Sequence, residues 1–138
     1  MIKKKSPDPR SDDLSPREKC RLAVLATLDK KAHDLSLLDV NALSSFCDYF
    51  LICSGRSDRQ VQAIADGVVE ALKRRGKPPL SVEGYSEGRW VLIDCDDLIV
   101  HVFHEPVRSF YNLEKLWHSA PRLDLTAWQA EARRPPTP

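Results

Sequence analysis

Asp94 and Asp96 stand two apart, between two apolar runs. On a strand, alternate side chains share a face, so carboxylates at that spacing could meet one magnesium ion, as paired acids do in nucleotidyl transfer. Asp96-Asp97 can equally fill a turn, because Asp is an ordinary turn former. No GxGxxG and no phosphate-loop run accompanies the pair. The junction from Cys53 to Ser57 contains a Ser-Gly step before a helix start, a weak phosphate signal. His101 could pair with Asp94 as an acid/base couple or as two buried polar groups satisfying one another. No nucleophile stands nearby to support a catalytic couple beyond Cys95, which falls in the apolar run as a small hydrophobe. His101 and His104, three apart on a strand, point to opposite faces and make a poor metal pair. Cys20, Cys47, Cys53 and Cys95 show neither CxxC nor zinc spacing. No catalytic residue, metal or cofactor is therefore expected.

The elements that position these groups centre on residues 89–103. Trp90 to Cys95 and Leu98 to Phe103 are apolar, rich in β-branched and aromatic residues, and separated by Asp96-Asp97. This pattern predicts a β-hairpin with a two-residue turn. Its register would pair Val91 with Val102, Ile93 with Val100 and Cys95 with Leu98 on one apolar face. The other face would pair Trp90 with Phe103, Leu92 with His101 and Asp94 with Ile99. Both faces are mostly apolar. Either helices cover both, or part of the second is reserved for a partner.

Upstream, Ser15-Pro16-Arg17-Glu18 opens a helix that should end near His33. Leu35 to Val40 and Tyr49 to Ser54 follow as strands. Ser57-Asp58-Arg59-Gln60 caps a second helix, with Val61, Ile64, Ala65, Val68 and Leu72 on one stripe. Lys73-Arg74-Arg75 fills its last turn, and Gly76 ends it before Pro78-Pro79. The basic triplet suits the helix dipole and could also grip phosphate. Leu80 to Tyr85 reads as a further strand. His104-Glu105-Pro106 begins a last helix, with Val107, Phe110, Tyr111 and Trp117 on its apolar side. The expectation is a single α/β domain over residues 14–118, with a mixed sheet of about five strands flanked by helices. Residues 1–13 should be a disordered tail, whose Lys3-Lys4-Lys5 gives at most a minor RNA contact. Residues 119–138 should be a Pro-rich flexible tail, in which Leu123, Leu125 and Trp128 could dock locally.

The chain has 138 residues, 42% hydrophobic and 30% charged, with a net charge of +1. That balance argues against a strongly basic nucleic-acid binder. No apolar run is long enough to span a membrane, and no signal or transit peptide is evident. A reduced, cytoplasmic setting is expected. From residue 81 onward acidic side chains outnumber basic ones, which would steer a basic partner towards the hairpin.

Several motifs together resemble the ribosomal silencing factors, the RsfS or Iojap-like family. They are Asp48-Tyr49-Phe50-Leu51-Ile52, Ser57-Asp58-Arg59-Gln60-Val61, Glu83-Gly84, Arg89 to Asp94 with Leu98 to Phe103, and Arg108 to Trp117. The resemblance implies a nucleotidyltransferase-like fold without catalysis. It also implies binding to large-subunit ribosomal protein fourteen, a steric block to joining of the ribosomal subunits, and homodimers in some members. Where the family usually has Gly, this chain has Asp96. The residues expected at the partner contact are Glu83, Tyr85, Arg89, Trp90, Leu92 and Asp94. The alternative is a divergent nucleotidyltransferase using Asp94 and Asp96.

Overall fold

The computed structural model describes residues 14–134. The elements run α1 (Pro16–Asp29), β1 (His33–Asp39), β2 (Tyr49–Gly55), α2 (Asp58–Arg74), β3 (Ser81–Glu83), β4 (Trp90–Asp94), β5 (Leu98–His104), α3 (Glu105–Tyr111), α4 (Leu113–Leu116) and α5 (Thr126–Arg133). The five strands form one mixed sheet in the order β1-β2-β5-β4-β3. Only β2 and β5 are parallel neighbours; every other pairing is antiparallel.

The hairpin forms in the expected register. Trp90 pairs with Phe103, Leu92 with His101 and Ile93 with Val100. Asp96 takes a positive φ of +75° at the first turn position, where such turns ordinarily require glycine. Lys19 of α1 pins this turn, bonding the Cys95 carbonyl at 2.9 Å and the Asp97 carboxylate at 2.8 Å.

Period-two alternation sorts the strands into two cores. On the first face, Leu51, Cys53, Val91, Ile93, Val100 and Val102 pack beneath the stripe of α2, with Cys20 and Val24 of α1. Ser57 caps α2 by accepting the Gln60 amide at 3.1 Å. Its far end closes with Lys77 N–H to Leu72 O and Gly76 N–H to Lys73 O, both 2.9 Å, with Gly76 at φ +73°. These are the two bonds of a Schellman cap. On the second face, Phe50, Ile52 and Phe103 pack with Val107, Ala120 and Trp117. Cover there is partial.

Three expectations are corrected. The first helix stops at Asp29, and His33 opens a strand rather than ending a helix. Lys31 at φ +68° turns the chain. The last helix is broken at Asn112, whose φ of +50° separates α3 from α4. The described part of the expected flexible tail is packed. Leu125 is buried and Trp128 lies against the first core. Arg17 sits over the Trp128 ring and Arg21 pairs with Glu131. Residues 121–123 also cover the outer edge of β1, through Asp39 N–H to Pro121 O at 2.8 Å and Leu123 N–H to Leu37 O at 2.9 Å. The opposite edge, β3, is short and exposed throughout. The expected tail at residues 1–13, with its lysines, lies outside the described residues.

Candidate functional site

On the second face, β4 and β5 bring together the aromatic residues that the register predicts. The Trp90 indole stacks on Phe103 with ring centroids 4.9 Å apart and leans on Tyr111 at 4.8 Å. Its Nε1–H donates to Nδ1 of His101 at 3.1 Å. His101 is 5% exposed, and burial pushes its pKa down to about 4. The imidazole is therefore neutral near pH 7. With Nδ1 accepting, its proton sits on Nε2, and that atom has no hydrogen-bond partner among the described residues.

Asp94 does not pair with His101, so the expected polar couple is absent. Asp94 Oδ1 instead accepts the Asp96 backbone N–H at 3.0 Å, a turn-forming bond. The register places Asp94 and His101 on one face, but the Asp96 amide bonds Asp94 and the Trp90 indole bonds His101 Nδ1 instead. Among the described residues, the cluster with metal-ligand spacing is His33, Asp34 and Glu105, which excludes Asp94 and Asp96. Cys20, Cys47, Cys53 and Cys95 are free and buried. Burial pushes the thiols of Cys20, Cys53 and Cys95 up to about 12, leaving no reactive thiolate.

Trp90 is half-buried, and its free edge opens into a cleft of about 500 Å³. Gly84, Glu87, Arg89, Pro106, Val107, Phe110 and Tyr111 complete the lining. Gly84 sits at φ +80°, and a Cβ there would lie 2.2 Å from the Trp90 carbonyl oxygen. The loop can hug the start of β4 only because this residue has no side chain.

The expected contact residues are only partly assembled. Arg89 and Trp90 share the cleft. Leu92 and Asp94 continue along β4 on the same side as Trp90. Glu83, on the exposed edge strand, pairs with Leu92. Tyr85 turns the other way, its hydroxyl donating to Asp66 of α2 at 3.1 Å.

Phe110 and Tyr111 were expected as the buried side of the last helix. They are 81% and 52% exposed, and Leu116 just beyond is 73% exposed. Of α3, only Val107 is buried. Val107, Phe110 and Tyr111 keep the i, i+3, i+4 spacing of one helical face, so nothing in the sequence shows that the two aromatics go uncovered. Exposed large apolar groups clustered around a cleft mark an interaction surface. Among the described residues no helix is long and apolar enough to cross a membrane.

The profile of the family described as "Ribosomal silencing factor during starvation" matches residues 13–138. A protein of Bacillus subtilis named ribosomal silencing factor RsfS is 50% identical over 105 residues, covering 76% of this chain and 89% of the relative. A protein of the same name from Halalkalibacterium halodurans is 46% identical over 112 residues, covering 81% and 96%. A crystal structure of a protein from Chromobacterium violaceum superposes with a TM-score of 0.75 at 37% identity, over 76% of this chain and 88% of that one.

Proposed function

The chain belongs to the ribosomal silencing factor family, and from that premise we propose that it represses translation by occupying the large ribosomal subunit. In this reading the docking partner is large-subunit ribosomal protein fourteen, and the bound factor keeps the small subunit from joining. The observation that carries the reading is the aromatic cleft open to solvent between Trp90 at the start of the hairpin and Phe110 and Tyr111 of α3.

The mechanism needs no reacting group. Trp90 is held by Phe103, Tyr111 and His101 before any partner arrives, so little side-chain entropy is lost on docking. Aromatic anchors in such clefts supply most of an interface's energy. Glu87 and Arg89 line the cleft, and Glu83 next to its Gly84 adds an exposed acidic group that favours a basic partner, as ribosomal proteins are. The four buried, free cysteines suit a reducing compartment, in keeping with action in the cytoplasm. Asp94 and Asp96 contribute a turn in this reading, and no catalytic step is assigned to the chain.

The test is sedimentation of purified ribosomal subunits under joining conditions, with and without the protein. The expected result is that free subunits accumulate and the protein travels with the large one. Undiminished joining at saturating protein would remove the proposal.

A further inference from the structure

The docking cleft leaves a second, polar cavity unused. It holds about 870 Å³ and is lined by Ser36, Ser54, Arg108, Glu114 and Arg122, with Asp34 and Glu105 also on its wall. Its place in the fold is specific. β2 and β5 are parallel neighbours, and their C-terminal ends reach this cavity through Ser54, next to last in β2, and Glu105, the residue after β5. After β2 the chain enters α2, which packs on the first face. After β5 it enters α3, whose Val107 packs on the second. In open α/β sheets, ligands bind outside the carboxyl ends of strands where the connections part in this way.

The cavity already cradles an oxyanion, supplied by the protein itself. Arg108 donates from Nε at 3.2 Å and Nη2 at 2.7 Å to the two Glu114 oxygens. Its Nη1 donates to Ser54 Oγ at 2.8 Å. Ser36 Oγ donates to Glu114 Oε2 at 2.8 Å, and Arg122 donates to Ser36 while lying 3.9 Å from the same carboxylate. Ser36 and Ser54 are 3% and 2% exposed. Glu114 rides on α4, a four-residue helix behind left-handed Asn112. So short a helix has little cooperative stability of its own and can shift.

We propose that Arg108, Arg122 and Ser36 form a binding site for a phosphate monoester dianion, with the Glu114 carboxylate as a tethered surrogate that the ligand displaces. Competition with Glu114 selects the ligand class. Two guanidinium groups converge on the one Glu114 carboxylate, while Asp34 and Glu105 on the wall bring the lining to three carboxylates against two guanidinium groups, so a ligand must outdo Glu114 itself. A free carboxylate brings no more charge than Glu114 and competes against a tethered rival at high effective concentration. A phosphate dianion brings twice the charge and three acceptor oxygens, and guanidinium forks bind it bidentately. The volume is that of a small-molecule site. Glu105 on the wall contacts His33, and with Asp34 it forms the acidic side of the cavity, so magnesium belongs in the buffer. This inference stands apart from the ribosomal reading and is tested without ribosomes.

The experiment is isothermal titration of the full chain with adenosine monophosphate in magnesium buffer at low salt. Glu114→Gln is expected to bind at least about tenfold more tightly than the unaltered chain, because the internal competitor loses its charge. Adding Arg122→Ala to that variant should reverse the gain. Absence of binding heat for both the unaltered chain and Glu114→Gln at millimolar ligand would overturn the proposal, as would equal affinity in the two. Should Glu114→Gln fail to fold, the Arg108 Nε–Hε resonance of the unaltered protein provides the readout. It is expected to shift on adding the ligand, and a static signal would refute the site.

Discussion

Trp90 and His101 sit opposite neighbouring positions of the β4–β5 ladder, and the indole Nε1–H of one is bonded to the imidazole Nδ1 of the other at 3.1 Å. The bond joins the aromatic cleft to the protein's interior. It also requires His101 to be neutral, since a protonated Nδ1 cannot accept.

Stability should therefore depend on pH in a defined window. Burial lowers the folded-state pKa of His101 from 6.5 to about 4. Between those values the unfolded chain binds the proton and the folded chain does not, so stability falls as pH drops from 6.5 towards 4 and levels off below. The shift corresponds to roughly 3 kcal/mol at the acid end. Denaturant melts of the unaltered chain and His101→Phe across this range provide the check. Equal pH slopes in the two would contradict the assignment.

Phe110 separates binding from folding. At 81% exposure, truncation to Ala should change folding stability by less than about 0.5 kcal/mol. It should weaken binding to the large subunit by about 1–2 kcal/mol, as loss of an aromatic anchor does. Trp90→Ala should weaken binding by more than about 1 kcal/mol. It should also lower the melting temperature, because Phe103 and Tyr111 lose their stacking partner. A Phe110→Ala protein with full affinity would take Phe110 out of the contact.

Asp96 is a strained residue in the hairpin turn, at φ +75°. Asp96→Gly relieves about 1–2 kcal/mol of left-handed strain and gives back about 0.5–1 kcal/mol in unfolded-chain entropy. The net expectation is a gain of roughly 0.5–1 kcal/mol, seen as a higher melting temperature. A lower one would mean that the Asp96 side chain makes a compensating contact.

Residues 121–131 pack onto the fold. Leu125 is 7% exposed in the first core, so Leu125→Ala should cost about 2–3 kcal/mol. A flexible tail would show no loss in the same chemical denaturation measurement.

The hairpin and its register were legible because alternation has a period of two, and a slip would have moved every apolar side chain to the wrong face. Ser57 and Gly76 likewise marked the ends of α2, because capping chemistry is local. Side-chain partners were not legible. Asp94 and His101 share a face, yet the Asp96 amide and the Trp90 indole reach them first. The break at Asn112 was hidden because a non-glycine left-handed residue leaves no gap in a helical pattern. Prolines at 121 and 135 suggested a tail, but they flank Leu125 and Trp128, which find a groove that exists only in three dimensions. Phe110 and Tyr111 looked like core for the same reason: hydrophobic spacing indicates which residues are apolar, not whether anything covers them.

Among the described residues, 121–123 are laid along the end of β1 and the β3 margin stays bare. Two such molecules joined margin to margin would each spend that seam. Any assembly grown that way stops at a pair and cannot lengthen into a fibril.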